Sequence, residues 1–235
     1  MKESAGDRFR LDRAAFLAGS LAAIGAGFCD TAFAAEPATS TVPPEQLLKR
    51  LMAGNRRFVN NDLPKLTEVT EKRELLVNSQ APFATVLTCA DSRVIPNFVF
   101  VQGVGDLFVA RVAGNFPDDL VTGSIEYALE HLGTHLIVVL GHQNCGAVTA
   151  VYSAIEHHET LPPHLTEIQE LIAPGIAGVV KRKGSLDEAI SANVRAAVAN
   201  LKSTSPAISK GVADGKVLVA GGVYRLASGE VTLIS

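Results

Sequence analysis

The sequence predicts an α/β protein with a mainly parallel central sheet flanked by helices. Three observations carry this. Apolar runs at 83–88, 107–110 and 136–140 are continuous rather than alternating, helix-like stretches separate them, and each run ends in a polar segment. A strand with one wet face alternates, whereas a strand covered on both faces reads as an unbroken apolar run. Strand–helix–strand order then calls for parallel pairing.

The first 34 residues read as an export address rather than as structure. Lys2, Arg8, Arg10 and Arg13 precede an uncharged stretch from Ala14 to Cys29, and Ala32-Phe33-Ala34 follows as an A-x-A cleavage site. The stretch is too short and too rich in alanine and glycine to be a comfortable membrane span, which needs ~20 apolar residues. A cleaved signal peptide at 1–34 therefore predicts an exported protein, in the bacterial periplasm, with no stable membrane insertion. Asp12 stands where a twin-arginine signal would carry a second arginine, so the export route stays open. Residues 35–42 are small and polar and form a linker, and a single domain spans 43–235.

Pro43-Pro44 opens a helix with Leu47, Leu48, Leu51 and Phe58 on one face. Residues 95–100 supply a short crossover after the first strand. Leu120–Leu132 has Val121, Ile125, Ala128, Leu129 and Leu132 at helical spacing, with Gly133 as a stop. Two further helices fit 165–180 and 185–201. Residues 216–220 and 230–234 read as late strands at a sheet edge.

The chain has 235 residues, 47% hydrophobic and 19% charged, enough for one sizeable core. Its formal net charge of -3 gives no basic excess, which excludes a nucleic-acid partner. Gly103 and Gly105 resemble part of a dinucleotide loop, but Phe108 occupies the third glycine position. No C-x-x-C pair is present, so thioredoxin-like redox chemistry is excluded as well. His131, His135, His157, His158 and His164 read as surface residues.

The chemistry sits at the strand ends. Cys89-Ala90-Asp91-Ser92-Arg93 follows the first run, Arg111-Val112-Ala113-Gly114-Asn115 the second, and Gly141-His142-Gln143-Asn144-Cys145-Gly146 the third. Parallel α/β sheets bind ligands outside the carboxyl ends of their strands, so these segments can converge on one rim. Zinc favours thiolate and imidazole, and a catalytic site keeps three protein ligands with a fourth position for water. Cys89, His142 and Cys145 make such a set. The spacing leaves a second possibility open, a Cys89–Cys145 disulfide with His142 incidental. Asp91 and Arg93 favour the metal, because a guanidinium can orient a carboxylate beside it by a two-pronged bond, although alone they would pass for a turn ion pair.

Taken together, C-A-D-S-R-V (89–94), R-V-A-G-N (111–115) and G-H-x-x-C-G (141–146) resemble the β-class carbonic anhydrases. The likeness extends from the Pro43 helix to Gly229–Leu233. It implies the β-class fold, Cys89, His142 and Cys145 as zinc ligands, and Asp91–Arg93 as the catalytic dyad. It implies reversible hydration of carbon dioxide to bicarbonate and a proton, with hydroxide generated at the zinc and oriented by Asp91. In some relatives the aspartate swings onto the metal, which makes Asp91 a conditional fourth ligand. Gln80 is similar to a glutamine that faces the substrate pocket in part of the family. A homodimer or dimer of dimers, with pockets at subunit interfaces, is implied too. Asn97 departs from a glutamate common in relatives, Arg225 from an aspartate after the late tyrosine, and the absence of tryptophan removes one kind of regulatory bicarbonate pocket. Hydrolysis of carbonyl sulfide or carbon disulfide on the same site is the enzymatic alternative. An exported zinc-binding or disulfide-stapled protein without activity is the other.

Overall fold

The structure, a computed structural model, describes residues 41–65 and 71–234. The expected signal peptide and all but the end of the linker lie outside the described residues. Among those described, no helix is long and apolar enough to cross a membrane.

Helix α1 (Pro44–Val59) starts on a proline at its first turn, where a missing N–H costs nothing, and is followed by a short 3₁₀ turn at Glu71–Arg73. Then come β1 (Ala84–Thr88), α2 (Pro96–Val99), β2 (Leu107–Arg111), α3 (Asp119–Leu132), β3 (Leu136–His142) and α4 (Gly146–His157). The chain ends through α5 (Leu165–Lys181), α6 (Leu186–Thr204), α7 (Pro206–Ala213), β4 (Leu218–Tyr224) and β5 (Val231–Leu233). The helix boundaries follow local chemistry. Asp118 caps α3 by accepting from Val121 N, and Gly133 ends it in the left-handed region at φ 67°. Ser185 and Glu188 form a reciprocal capping box on α6.

Among the described residues five strands lie in the order β2-β1-β3-β4-β5, parallel except for antiparallel β5. The three apolar runs are β1, β2 and β3. On β1 and β3, alternate side chains go to opposite faces. Ala84, Val86, Leu136, Val138 and Leu140 pack towards α1 and α2. Leu87, Ile137 and Val139 pack towards α4, α5 and α6. Both faces are covered, so period-two alternation leaves no polar trace.

One expectation changes. The segment expected at 216–220 as an edge strand is the interior strand β4, which pairs with β3 at seven positions from Leu136↔Leu218 to His142↔Tyr224. Gly221 and Gly222 interrupt the apolar run and hide its continuation. A Cβ at Gly222 would come within 3.1 Å of Val231 Cγ1, so the glycine makes room for β5, the true edge. Helix α7 was not legible as a helix, although Ser205 caps it and Pro206 starts it.

Candidate metal centre

From β1 the chain crosses to β2 on one side and then to β3 on the other. The carboxyl end of β1 is thus a switch point, where outgoing connections part and leave a crevice. Cys89 is the first residue after β1, His142 the last residue of β3, and Cys145 the cap of α4. All three are buried, and their ligand atoms lie within 4.8 Å of one another. Two segments distant in sequence, 89–93 and 141–146, do converge.

The cysteines are free thiols with Sγ atoms 3.9 Å apart. The His142 Nδ1 lies 2.9 Å from the Gln143 carbonyl oxygen. An N–H there donates to that carbonyl and leaves the Nε2 lone pair free. That Nε2 is buried without a hydrogen-bond partner. An orphaned polar atom is costly in a protein interior, and a metal ion shared with two sulfurs accounts for it, with the carbonyl fixing the tautomer as ligating histidines usually require. The residues fit a metal.

The Cys145 thiol hydrogen-bonds to Cys89 and is the main cause holding the Cys89 pKa far below the ordinary thiol range, with His142 and the Gly114 N–H pulling the same way against burial. The same bond and burial push Cys145 up, so one proton stays on the pair. A metal ion takes both sulfurs as thiolates and would displace it.

Asp91 stands beside this cluster with Oδ2 3.9 Å from His142 Nε2. Arg93 grips both carboxylate oxygens: its Nε donates to Oδ1 at 2.9 Å and its Nη2 to Oδ2 at 2.7 Å. The Arg93 side chain, acting first through these bonds, holds the Asp91 carboxyl well below the usual carboxylate range. The Arg93 backbone N–H also donates to Asp91 Oδ1, closing a tight turn. With both oxygens on Arg93, Asp91 is in its paired position rather than turned to the cysteines.

Two contributors escaped the sequence reading. Arg111, at the end of β2, donates from Nε to the Cys89 carbonyl at 3.1 Å and from Nη2 to the Asp91 carbonyl at 2.6 Å, fastening the whole C-A-D turn. Gly114 donates its N–H to Cys89 Sγ at 3.4 Å. Both lie in the R-V-A-G-N segment, whose position was legible while its contacts were not.

Gln80 is exposed and precedes β1, whereas Cys89 leaves the other end of that strand. Five strand residues set them about 16 Å apart along the strand, so this chain does not bring Gln80 to its own cysteines. Asn97 Nδ2 donates to the Gly103 carbonyl at 3.0 Å and ties the turn after α2. Arg225 pairs with Asp187 on α6 at 2.6 Å. His131, His157, His158 and His164 are exposed as expected, but His135 is half-buried, and burial lowers its pKa. A surface groove of about 600 Å³ at the start of α3, lined by Asp118, Asp119, Glu126 and Asn200, includes none of the residues of the metal centre.

Fold and site define a class, an α/β protein whose parallel sheet offers a Cys–His–Cys ligand set beside a doubly bonded carboxylate–guanidinium pair. Its relatives narrow this further. The family model for carbonic anhydrase matches residues 84–231. The chain is 42% identical over 195 residues to a carbonic anhydrase of Mycolicibacterium smegmatis, covering 82% of this chain and 94% of the relative. A Coccomyxa β-carbonic anhydrase solved in complex with acetazolamide superposes with a TM-score of 0.63 at 28% identity, over 83% of this chain and 87% of that one. The β-carbonic anhydrase CcaA superposes with a TM-score of 0.64 at 27% identity, over 81% and 88%. The chain belongs to the carbonic anhydrase family, whose enzymes hydrate carbon dioxide, and its fold is that of the β-class.

Proposed function

We propose that the chain interconverts carbon dioxide and bicarbonate with a zinc ion held by Cys89, His142 and Cys145. The observation that carries this reading is the Asp91–Arg93 pair set 3.9 Å from the partnerless His142 Nε2. A metal that merely staples a fold needs ligands alone. A charged carboxylate held by two bonds beside the ligands suits a reaction.

When bound, a zinc ion would act as a Lewis acid that lowers the pKa of a water beside it towards neutrality, an effect partly offset by the charge two thiolates donate. Asp91 accepts a hydrogen bond from the attacking water and turns its lone pair towards carbon dioxide. Arg93 keeps that carboxylate ionised and aimed, and Arg111 holds the turn beneath it.

Assembly as a homodimer or dimer of dimers belongs to the same reading. Leu75, Val77 and Phe98 are 81%, 76% and 55% exposed, individual apolar side chains that a second copy could cover. Export to the periplasm rests on the leader at 1–34 and is checked by N-terminal sequencing of the protein recovered from the periplasmic fraction.

Stopped-flow carbon dioxide hydration on residues 35–235, with zinc quantified in the same sample and Asp91→Ala alongside, tests the activity. Zinc-stoichiometric activity that collapses in the variant and is inhibited by acetazolamide supports it. Zinc-loaded protein inactive from neutral to alkaline pH sinks it and directs attention to carbonyl sulfide, carbon disulfide or a non-enzymatic role.

A further inference from the structure

Helix α6 turns Ala189, Ile190, Val194, Ala197, Val198 and Leu201 into the core, and among them stands Asn193, 1% exposed. An amide in an apolar stripe is costly unless it makes a bond that matters, and asparagine is not a favoured helix former. Asn193 makes one: its Nδ2 donates to the Gly114 carbonyl at 2.8 Å, across 79 residues of sequence.

Gly114 is where that bond has chemical reach. Its own N–H points at Cys89 Sγ. It sits at φ 81°, followed by Asn115 at φ 48°, two successive left-handed residues that the chain does not hold by itself. A Cβ at Gly114 would lie 2.5 Å from Ile172 Cδ1 and 3.3 Å from Ala147 Cβ, so α5 and α4 press on it from outside. Asn193 supplies the polar anchor on the remaining side.

We infer that Asn193 is a positioning residue of the metal centre, which aims the Gly114 amide at the Cys89 sulfur and so limits how much charge that thiolate gives to the metal. This rests on the reading of Cys89 as a ligand. An N–H directed at a ligating sulfur withdraws electron density from it, and partners one step removed from a metal govern affinity and acidity at the site.

The test uses cobalt(II) in place of zinc, in wild type, Asn193→Leu and Asn193→Asp, with Val198→Ala as a control that loosens the same helix elsewhere. Both Asn193 variants are expected to move the sulfur-to-cobalt charge-transfer band to longer wavelength and to change metal affinity in chelator competition by about 10-fold or more. Val198→Ala is expected to lower Tm and leave band and affinity in place. Folded Asn193 variants with an unshifted band and wild-type affinity overturn the inference. A wild-type protein with no sulfur-to-cobalt band overturns instead the underlying assignment of Cys89. Should neither variant fold, wild type loaded with cadmium-113 decides: coupling of the Gly114 amide proton to cadmium, with slow exchange of the Asn193 side-chain amide, supports the inference, and absence of either sinks it.

Discussion

Two carboxylate–guanidinium pairs in this protein have nearly the same shortest contact, 2.7 Å for Asp91–Arg93 and 2.6 Å for Asp187–Arg225. Both arginines reach solvent, Arg93 at 54% and Arg225 at 39% exposed, so the difference lies with the aspartates. Asp91 is 17% exposed, receives bonds on both oxygens, and faces a buried imidazole nitrogen. Asp187 is 50% exposed and meets Arg225 at the mouth of a surface groove that also carries Arg182, Glu188 and Arg195. Water screens the second pair and competes for both partners, so its worth is small. Contact distance alone says nothing about role. What distinguishes the first pair is the buried Cys89–His142–Cys145 cluster beside it.

The sharpest way to break the comparison is to remove that ligand set. His142→Ala is expected to lose stoichiometric metal, measured by elemental analysis of the purified protein, and to fall to background in carbon dioxide hydration. Metal retained at one equivalent would move the site elsewhere. Next comes Asp91→Asn, which keeps shape and loses charge. With metal retained, kcat/KM is expected to fall about 100-fold. Arg93→Lys keeps the charge but cannot make the two-pronged bond, and a loss of about tenfold with metal content unchanged is expected.

The pairs also differ in acid. The carboxyl of Asp91 is lowered in the folded state, so its contribution to stability is complete above the unfolded value of ~3.9 and disappears only as pH falls below it. The Tm difference between wild type and Asp91→Asn is therefore expected to stay flat from pH 8 to about 5 and to close only below about 4. A difference that closes near neutrality would contradict the Arg93 bonds as its cause. The smallest effect belongs to the exposed pair: Asp187→Ala is expected to change stability by less than about 1 kcal/mol, with hydration activity unchanged. A large loss of activity there would show that the distinction drawn from burial is wrong.

Much of this was legible beforehand. Cys89, Asp91, Arg93, His142 and Cys145 each stand just past an apolar run, and parallel strands carry such ends to one rim whatever their separation in sequence. Helix α3 was legible because Asp118, the i/i+3/i+4 apolar residues and Gly133 agree with one another. The interior position of β4 was not, since Gly221 and Gly222 read as a break in an apolar run when they are the space that β5 occupies. Arg111 could be seen as part of a motif but not assigned a task. Its partners are backbone carbonyls, which every residue has and no sequence pattern marks.

The sequence by itself determined the α/β layers and the parallel pairing of the first three strands, and it marked Cys89, His142, Cys145, Asp91 and Arg93 as the candidate site. These follow from side-chain type and from spacing along one strand or turn, where local geometry is fixed by the backbone. Only the tertiary structure decided that β4 lies inside the sheet, that Arg111 fastens the turn after β1, and that Asn193 reaches Gly114. Those depend on which surfaces of separate elements meet, and the energy that selects them comes from packing and from pairing buried polar groups across the fold.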